Sequence, residues 1–331
     1  MTNPLNQLRV EGDPNAYDSF AACITAVLRA WGSDVTYDYV EGLSGMAFSP
    51  ICNNGEDCIG WKMDGCNEYR VDFLGKCLGF RAERVAYEGD GRWLEDYKSS
   101  GAMPQEPARY FAQLRDAVQA GKAVIPHSWP AWSVLLGWKD NIFELPFATT
   151  PGFEPVVAGI YPPAKATWAF VLTKQPPEIA KREAIAQAIA FGYTVASGDL
   201  SKNTGDVLFG GAIFDTIVKQ CGMQHLCPSC QENGCIGRSF KRISNGQNAS
   251  IQFLREAGQY VVSQTGKAAL DKAVLDYTEM SDITGKYLDW PALKASHDLP
   301  EFRREIAHDF AREKDILARA AVHLRELAEA F

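Results

Sequence analysis

No stretch of about 18 apolar residues occurs in this chain, and its first residues, MTNPLNQLRVEGDPN, hold no basic start followed by an apolar run. Neither a membrane span nor a secretory leader is expected, and the reading is a soluble, cytoplasmic protein. A Lys/Arg-rich stripe is also missing. With a formal net charge of -8, nucleic acid and anionic membrane are not expected as main partners. There is no GxxxxGK phosphate loop, no GxGxxG after a predicted strand and no HExxH, so nucleotide hydrolysis and metalloprotease chemistry are not expected. No repeat of fixed period is present, which excludes a solenoid.

What remains is a chain of 331 residues, 46% hydrophobic and 22% charged, enough to bury a sizeable core in two globular units or in one domain with a large appendage. Its nine cysteines fall into an early group (Cys23, Cys52, Cys58, Cys66 and Cys77) and a late one (Cys221, Cys227, Cys230 and Cys235). An odd number cannot all pair internally, and without a leader free thiols are the expectation. A Cys52–Cys58 disulfide is not favoured.

The segment from Asn15 to Gly32 organises the N-terminal half. Phe20, Ile24, Val27, Leu28 and Trp31 recur at helical spacing, Asp18 or Ser19 can cap the start, and Gly32 ends the pattern. Cys23 falls in or near the first turn, where unpaired N–H groups and the helix dipole favour a thiolate. The competing reading is a small buried hydrophobe, as most free cysteines are.

Asp34 to Leu43 reads as a second helix, Ser44 to Trp61 as a structured loop, Cys66 to Leu78 as a helix stopped by Gly79, and Phe80 to Tyr87 as a strand. Pro107 to Ala120 is helical, with Gly121 as the stop. Strands are expected at Lys122 to Pro126, Trp132 to Trp138 and Asn141 to Phe147, the Lys139-Asp140 link suiting a hairpin; another follows at Thr167 to Thr173. Beyond Pro176-Pro177 nearly everything reads as helix: Glu178 to Phe191, Val207 to Cys221, Asn248 to Ser263, Ala268 to Met280 and Glu301 to Ala330. The expected fold class is therefore α+β over residues 1–176, followed by an all-helical domain over residues 177–331.

A capped helix opening with a cysteine, then a Gly-Lys turn into strands that carry a histidine, resembles the arrangement of papain-like cysteine enzymes. Cys23 to Gly32, CITAVLRAWG, resembles the nucleophile helix of the bacteriocin-processing peptidase group and of the butirosin-biosynthesis acyltransferase type. Leu114 to Asp140 resembles the helix, strand, loop and strand that end there in a Gly-aromatic-Asp turn, with a lysine intervening here before Asp140. The likeness spans roughly residues 15 to 175 and implies a papain-like domain in which a Cys-bearing helix packs on an antiparallel sheet. It also implies a thiol-dependent hydrolase or acyltransferase acting on an amide, ester or thioester.

In that reading Cys23 is the nucleophile, His127 the base, and Glu144 or Asp140 the group that orients the imidazole. Two positions depart from the family pattern. Tyr17, flanked by Asp18 and Ser19, stands where the peptidases place an oxyanion-hole glutamine, so these three are the candidate oxyanion or substrate-binding residues. Trp132 stands where the family histidine begins its strand. The alternative is accordingly a papain-like binding or scaffolding protein without catalysis.

A separate constellation, HLCPSCQENGC, brings His225, Cys227, Cys230 and Cys235 to spacings that suit a compact tetrahedral zinc knuckle. The same Cys-Pro-Ser-Cys run suits a dithiol redox pair, and a turn of reduced cysteines is the simplest reading. A structural zinc is the one cofactor the pattern admits, and a metal or redox protein is the third functional reading. Expected partners are a small-molecule or peptide acyl substrate, with the helical domain either capping the site or making a homodimer.

Overall fold

The structure is a computed structural model and describes residues 18–53, 70–86, 105–128, 131–135, 137–139, 142–144, 168–199, 207–221 and 235–331. It mixes helix with small antiparallel sheets. Among the described residues no helix is long and apolar enough to cross a membrane. The chain divides into two compact units, Met1–Val40 with Asn67–Ile179, and Glu41–Cys66 with Ala180–Phe331.

In chain order the elements begin with α1 (Ser19–Ala30), α2 (Tyr37–Ser44), β1 (Ile51–Asn53), α3 (Val71–Leu78) and β2 (Phe80–Ala86). Next come α4 (Gln105–Gln119), β3 (Ala123–Ser128), β4 (Ala131–Trp132), β5 (Gly137–Lys139), β6 (Ile142–Glu144) and β7 (Trp168–Lys174). The remainder holds α5 (Lys181–Ala196), β8 (Val207–Phe209), α6 (Gly211–Cys221), α7 (Cys235–Ala257), α8 (Gln264–Gly285), α9 (Trp290–Leu293) and α10 (Pro300–Glu329).

The first unit is built on a four-stranded antiparallel sheet in the order β2-β7-β3-β4. Residues paired across an antiparallel ladder share a face, and the face alternates along each strand. Ala169 and Val171 of β7, with Val124 of β3, therefore point to one side, where Tyr110, Leu114, Ala117 and Val118 of α4 cover them. Trp168 and Phe170 point to the other side, where Phe20 of α1 packs on Phe170 at 5.7 Å between ring centroids and on Trp132 at 4.9 Å. The sheet is thus sandwiched between two helices, and both amphipathic stripes read from the sequence find their cover here. A hairpin of β5 and β6 forms near the expected link, with Trp138 opposite Phe143, but Lys139 is paired with Ile142 rather than lying in the link, and the expected strand Trp132 to Trp138 is divided between β4 and β5.

The second unit is mostly helical. The stripe on α10 is buried at Ile306, Phe310, Ile316, Leu317, Ala320, Leu324 and Leu327, as its spacing predicts. Phe310 stacks on Phe240 at 5.0 Å and contacts Tyr287 at 5.6 Å. Two segments differ from expectation. Val207 to Cys221 is not one helix: Val207–Phe209 pairs with Ile51–Asn53, and Gly210 at φ 64° turns the chain into α6. The pairing partner lies some 150 residues upstream, so no local pattern announces this strand. Helix α7 begins at Cys235 rather than Asn248, and its first turns bury Ile236, Phe240 and Ile243 at helical spacing.

The 3-10 turn Met46–Phe48 carries an aromatic knob into this unit. Phe48 meets Phe253 and Tyr277 edge-on, and the Tyr277 hydroxyl donates to the Phe48 carbonyl at 2.7 Å. A Cβ at Gly42 would stand 2.2 Å from Cγ of the fully buried Phe253. Gly42→Ala must therefore displace a ring at its root rather than its tip. We expect it to destabilise the unit by about 2–3 kcal/mol or more, read as a lowered urea midpoint, whereas a shift within experimental error would show that Phe253 can move.

Candidate functional site

Helix α1 starts as the sequence implies. Asp18 is the N-cap, its Oδ1 accepting from the Phe20 and Ala21 amides at 2.9 and 3.0 Å, while the Asp18 amide donates to the Tyr37 hydroxyl at 3.0 Å. The hydrogen-bonded ladder then opens with the Ala22 amide donating to the Asp18 carbonyl. Cys23 lies one residue inside that ladder. The free N–H groups that would favour an anion are thus satisfied by a carboxylate, and the positive helix end is already compensated.

Cys23 is fully buried. Burial holds its thiol well above the ordinary value, and the charge of Asp18 raises it further. Dipole effects at a helix start are worth about 0.3–1 kcal/mol at exposed positions, and removing a thiolate from water costs several times more. Desolvation decides the protonation state, and the side chain is a thiol at neutral pH.

Ser19, the first helical residue, leaves capping to Asp18. Its Oγ instead accepts from the Trp132 amide at 3.0 Å. This bond ties the first turn of α1 to the β3–β4 end of the sheet. Trp132 pairs with His127 across that hairpin, and its indole, 2% exposed, stacks on Phe170 and meets Trp168 edge-on at 4.7 Å.

The imidazole of His127 packs at 4.8 Å from Trp132 and 5.6 Å from Trp168. Burial lowers its pKa to about 4, so it is neutral at pH 7. Its buried Nδ1 has no hydrogen-bond partner among the described residues. A thiol held high and an imidazole held low do not form a thiolate–imidazolium pair in the resting state.

The structure thus gathers Asp18, Ser19, Trp132 and His127 where α1 meets the sheet, with Cys23 one helical turn beyond Ser19. Glu144 ends β6 opposite Gly137; its side chain, and all of Asp140 and Tyr17, lie outside the described residues. His225, Cys227 and Cys230 lie outside them too, and of Cys235 only its backbone place at the start of α7 is described. Among the described residues no group of three or more His, Cys, Asp or Glu is placed to hold a metal ion.

Trp168, one of the aromatics around the sheet that the sequence offers as pocket lining, belongs to the site, and so does Arg84, which the sequence reading did not name. Trp168 separates His127 from Arg84 of β2, whose guanidinium carbon lies 4.3 Å over the indole ring. Nothing local marks Arg84. No protein-family model matches the chain, and none of the curated proteins matches it.

Proposed function

We propose that the N-terminal unit is a papain-like binding module that does not use Cys23 as a nucleophile, its ligand being a peptide or an acyl-bearing small molecule. The observation that carries this reading is the burial of Cys23 behind a satisfied helix start. A nucleophile needs a path to substrate and a base that can hold its proton. In support, an indole fills position 132, the place of the family histidine, and His127 is turned into an aromatic cluster. The catalytic reading, a thiol-dependent hydrolase or acyltransferase, draws on one observation of its own. The Ser19–Trp132 bond docks the histidine-bearing hairpin on the cysteine-bearing helix, which is the juxtaposition such chemistry requires.

One experiment separates the two. The rate of iodoacetamide labelling at Cys23, mapped by peptide mass spectrometry over about pH 5 to 9, is expected to stay slow throughout and to be unchanged by His127→Ala. Rapid labelling near the acid end, slowed by that substitution, would reinstate the nucleophile and send the search to acyl substrates.

A further inference from the structure

The face of the sheet that carries Trp132 bears a row of side chains running across all four strands. Arg84 stands on β2, Trp168 on β7, His127 on β3 and Trp132 on β4. The guanidinium and the imidazole both contact the same indole, Trp168. Exposure falls along the row: Arg84 is exposed, Trp168 and His127 are partly buried, and Trp132 is buried. Two residues to either side of Arg84 on its face stand Ala82 and Ala86, side chains too short to cover the indole.

Arg84 has a further property. Among the described residues it has no carboxylate partner, its guanidinium resting on the Trp168 ring. A guanidinium lying on an indole is held by cation–π attraction and presents its N–H groups at the rim, free to form a two-point bond with a carboxylate. The stacking also removes part of the ordering cost that an unsupported arginine would bear on binding. Beside it, the neutral imidazole of His127 keeps a buried nitrogen with no partner among the described residues, an unmet polar need that folded proteins seldom retain without a reason.

We propose that Arg84 and Trp168 form the anchor of a ligand subsite for a monocarboxylate carried on a flat, apolar body, of the N-acyl amino acid class. This assignment rests on the binding reading of the N-terminal unit and names its ligand chemistry. The carboxylate takes the guanidinium rim, and the flat body lies along the Trp168 edge toward His127. Arg84 supplies charge and direction, while Trp168 supplies area, the usual division between polar and apolar groups in small-molecule sites.

Isothermal titration calorimetry of the full chain tests this with two probes, N-benzoylglycine and its uncharged amide. The wild-type protein is expected to bind the acid saturably and the amide at least about tenfold more weakly. Arg84→Gln should lose that preference, Arg84→Lys should keep part of it, and added salt should weaken the acid alone. Circular dichroism of each variant verifies folding. Equal binding of acid and amide, or unchanged acid binding in Arg84→Gln, overturns the carboxylate anchor and leaves the binding reading standing. Failure of the wild type to bind either probe also overturns it, and the binding reading is then judged separately by the labelling of Cys23.

Discussion

Glu313→Gln is expected to stabilise the helical unit at about pH 9 by roughly 2–4 kcal/mol and to remove most of its loss of stability between pH 4.5 and 8. Glu313 is fully buried on α10, its Oε1 accepting from the Thr284 hydroxyl at 2.7 Å and its Oε2 from the Gln247 amide at 2.9 Å. Burial raises its pKa from 4.5 to about 8, the two hydrogen bonds opposing the rise and Asp309 adding to it. Lys286, the nearby cation, is engaged by Asp309 at 2.7 Å, which also accepts from the Tyr287 hydroxyl.

The sign follows from linkage. Between 4.5 and about 8 the folded state holds a proton that the unfolded chain has released, so stability falls as pH rises through that window and levels off above it. Glutamine keeps the shape of the neutral acid and has no charge to bury. Urea unfolding of both proteins across the window is the measurement. A wild-type midpoint that is flat from about pH 5 to 8 would show that Glu313 ionises at its ordinary value.

The second large effect concerns Trp132. Trp132→Ala should destabilise the N-terminal unit by about 3–5 kcal/mol, because the indole contacts Phe20, His127, Trp168 and Phe170 at once. The backbone bond to Ser19 Oγ survives the substitution, so the loss is one of packing. Trp132→Phe should recover most of it. Water admitted to the cavity should also raise the pKa of His127 from about 4 toward its ordinary value, visible in its imidazole NMR shifts. A cost below about 1 kcal/mol would mean that the cluster closes over the gap and that Trp132 is not its keystone.

His127 gives the first unit the opposite pH behaviour to the second. Its folded pKa is depressed by burial from 6.5 to about 4, so the unfolded chain binds the extra proton and stability is lost as pH falls through that window. Between about pH 4.5 and 6.5 acidification should weaken the sheet unit while it strengthens the helical one. Intrinsic tryptophan emission weighted to the sheet unit and far-UV circular dichroism weighted to the helices should then separate into two transitions. In His127→Gln the acid loss of the first unit should shrink, provided the amide fits beside Trp132 and Trp168.

Much was legible in the residues alone because its causes are local. Asp18 caps α1 and Gly32 ends it at φ 86°, since a side-chain acceptor and a residue free to turn left-handed are needed within one turn of the helix. The stripe of α10 is buried as read, because a helical period sustained over thirty residues allows one apolar face and no other. The unbroken apolar run of β7, Trp168 to Leu172, likewise suits a strand covered on both faces.

Tertiary structure decided the rest, and in each case the deciding partner is far along the chain. Residues 41–53 belong with the helical unit although residues 18–40 before them belong with the sheet, and Val207–Phe209 becomes a strand only because Ile51–Asn53 is there to pair with it. Cys23 shows the same division most sharply. Its place on a capped helix was readable from ten residues, and that place argues for a thiolate. Its burial was set by how the whole unit packs, and desolvation, a sum over all neighbours, outweighs the dipole of a single helix.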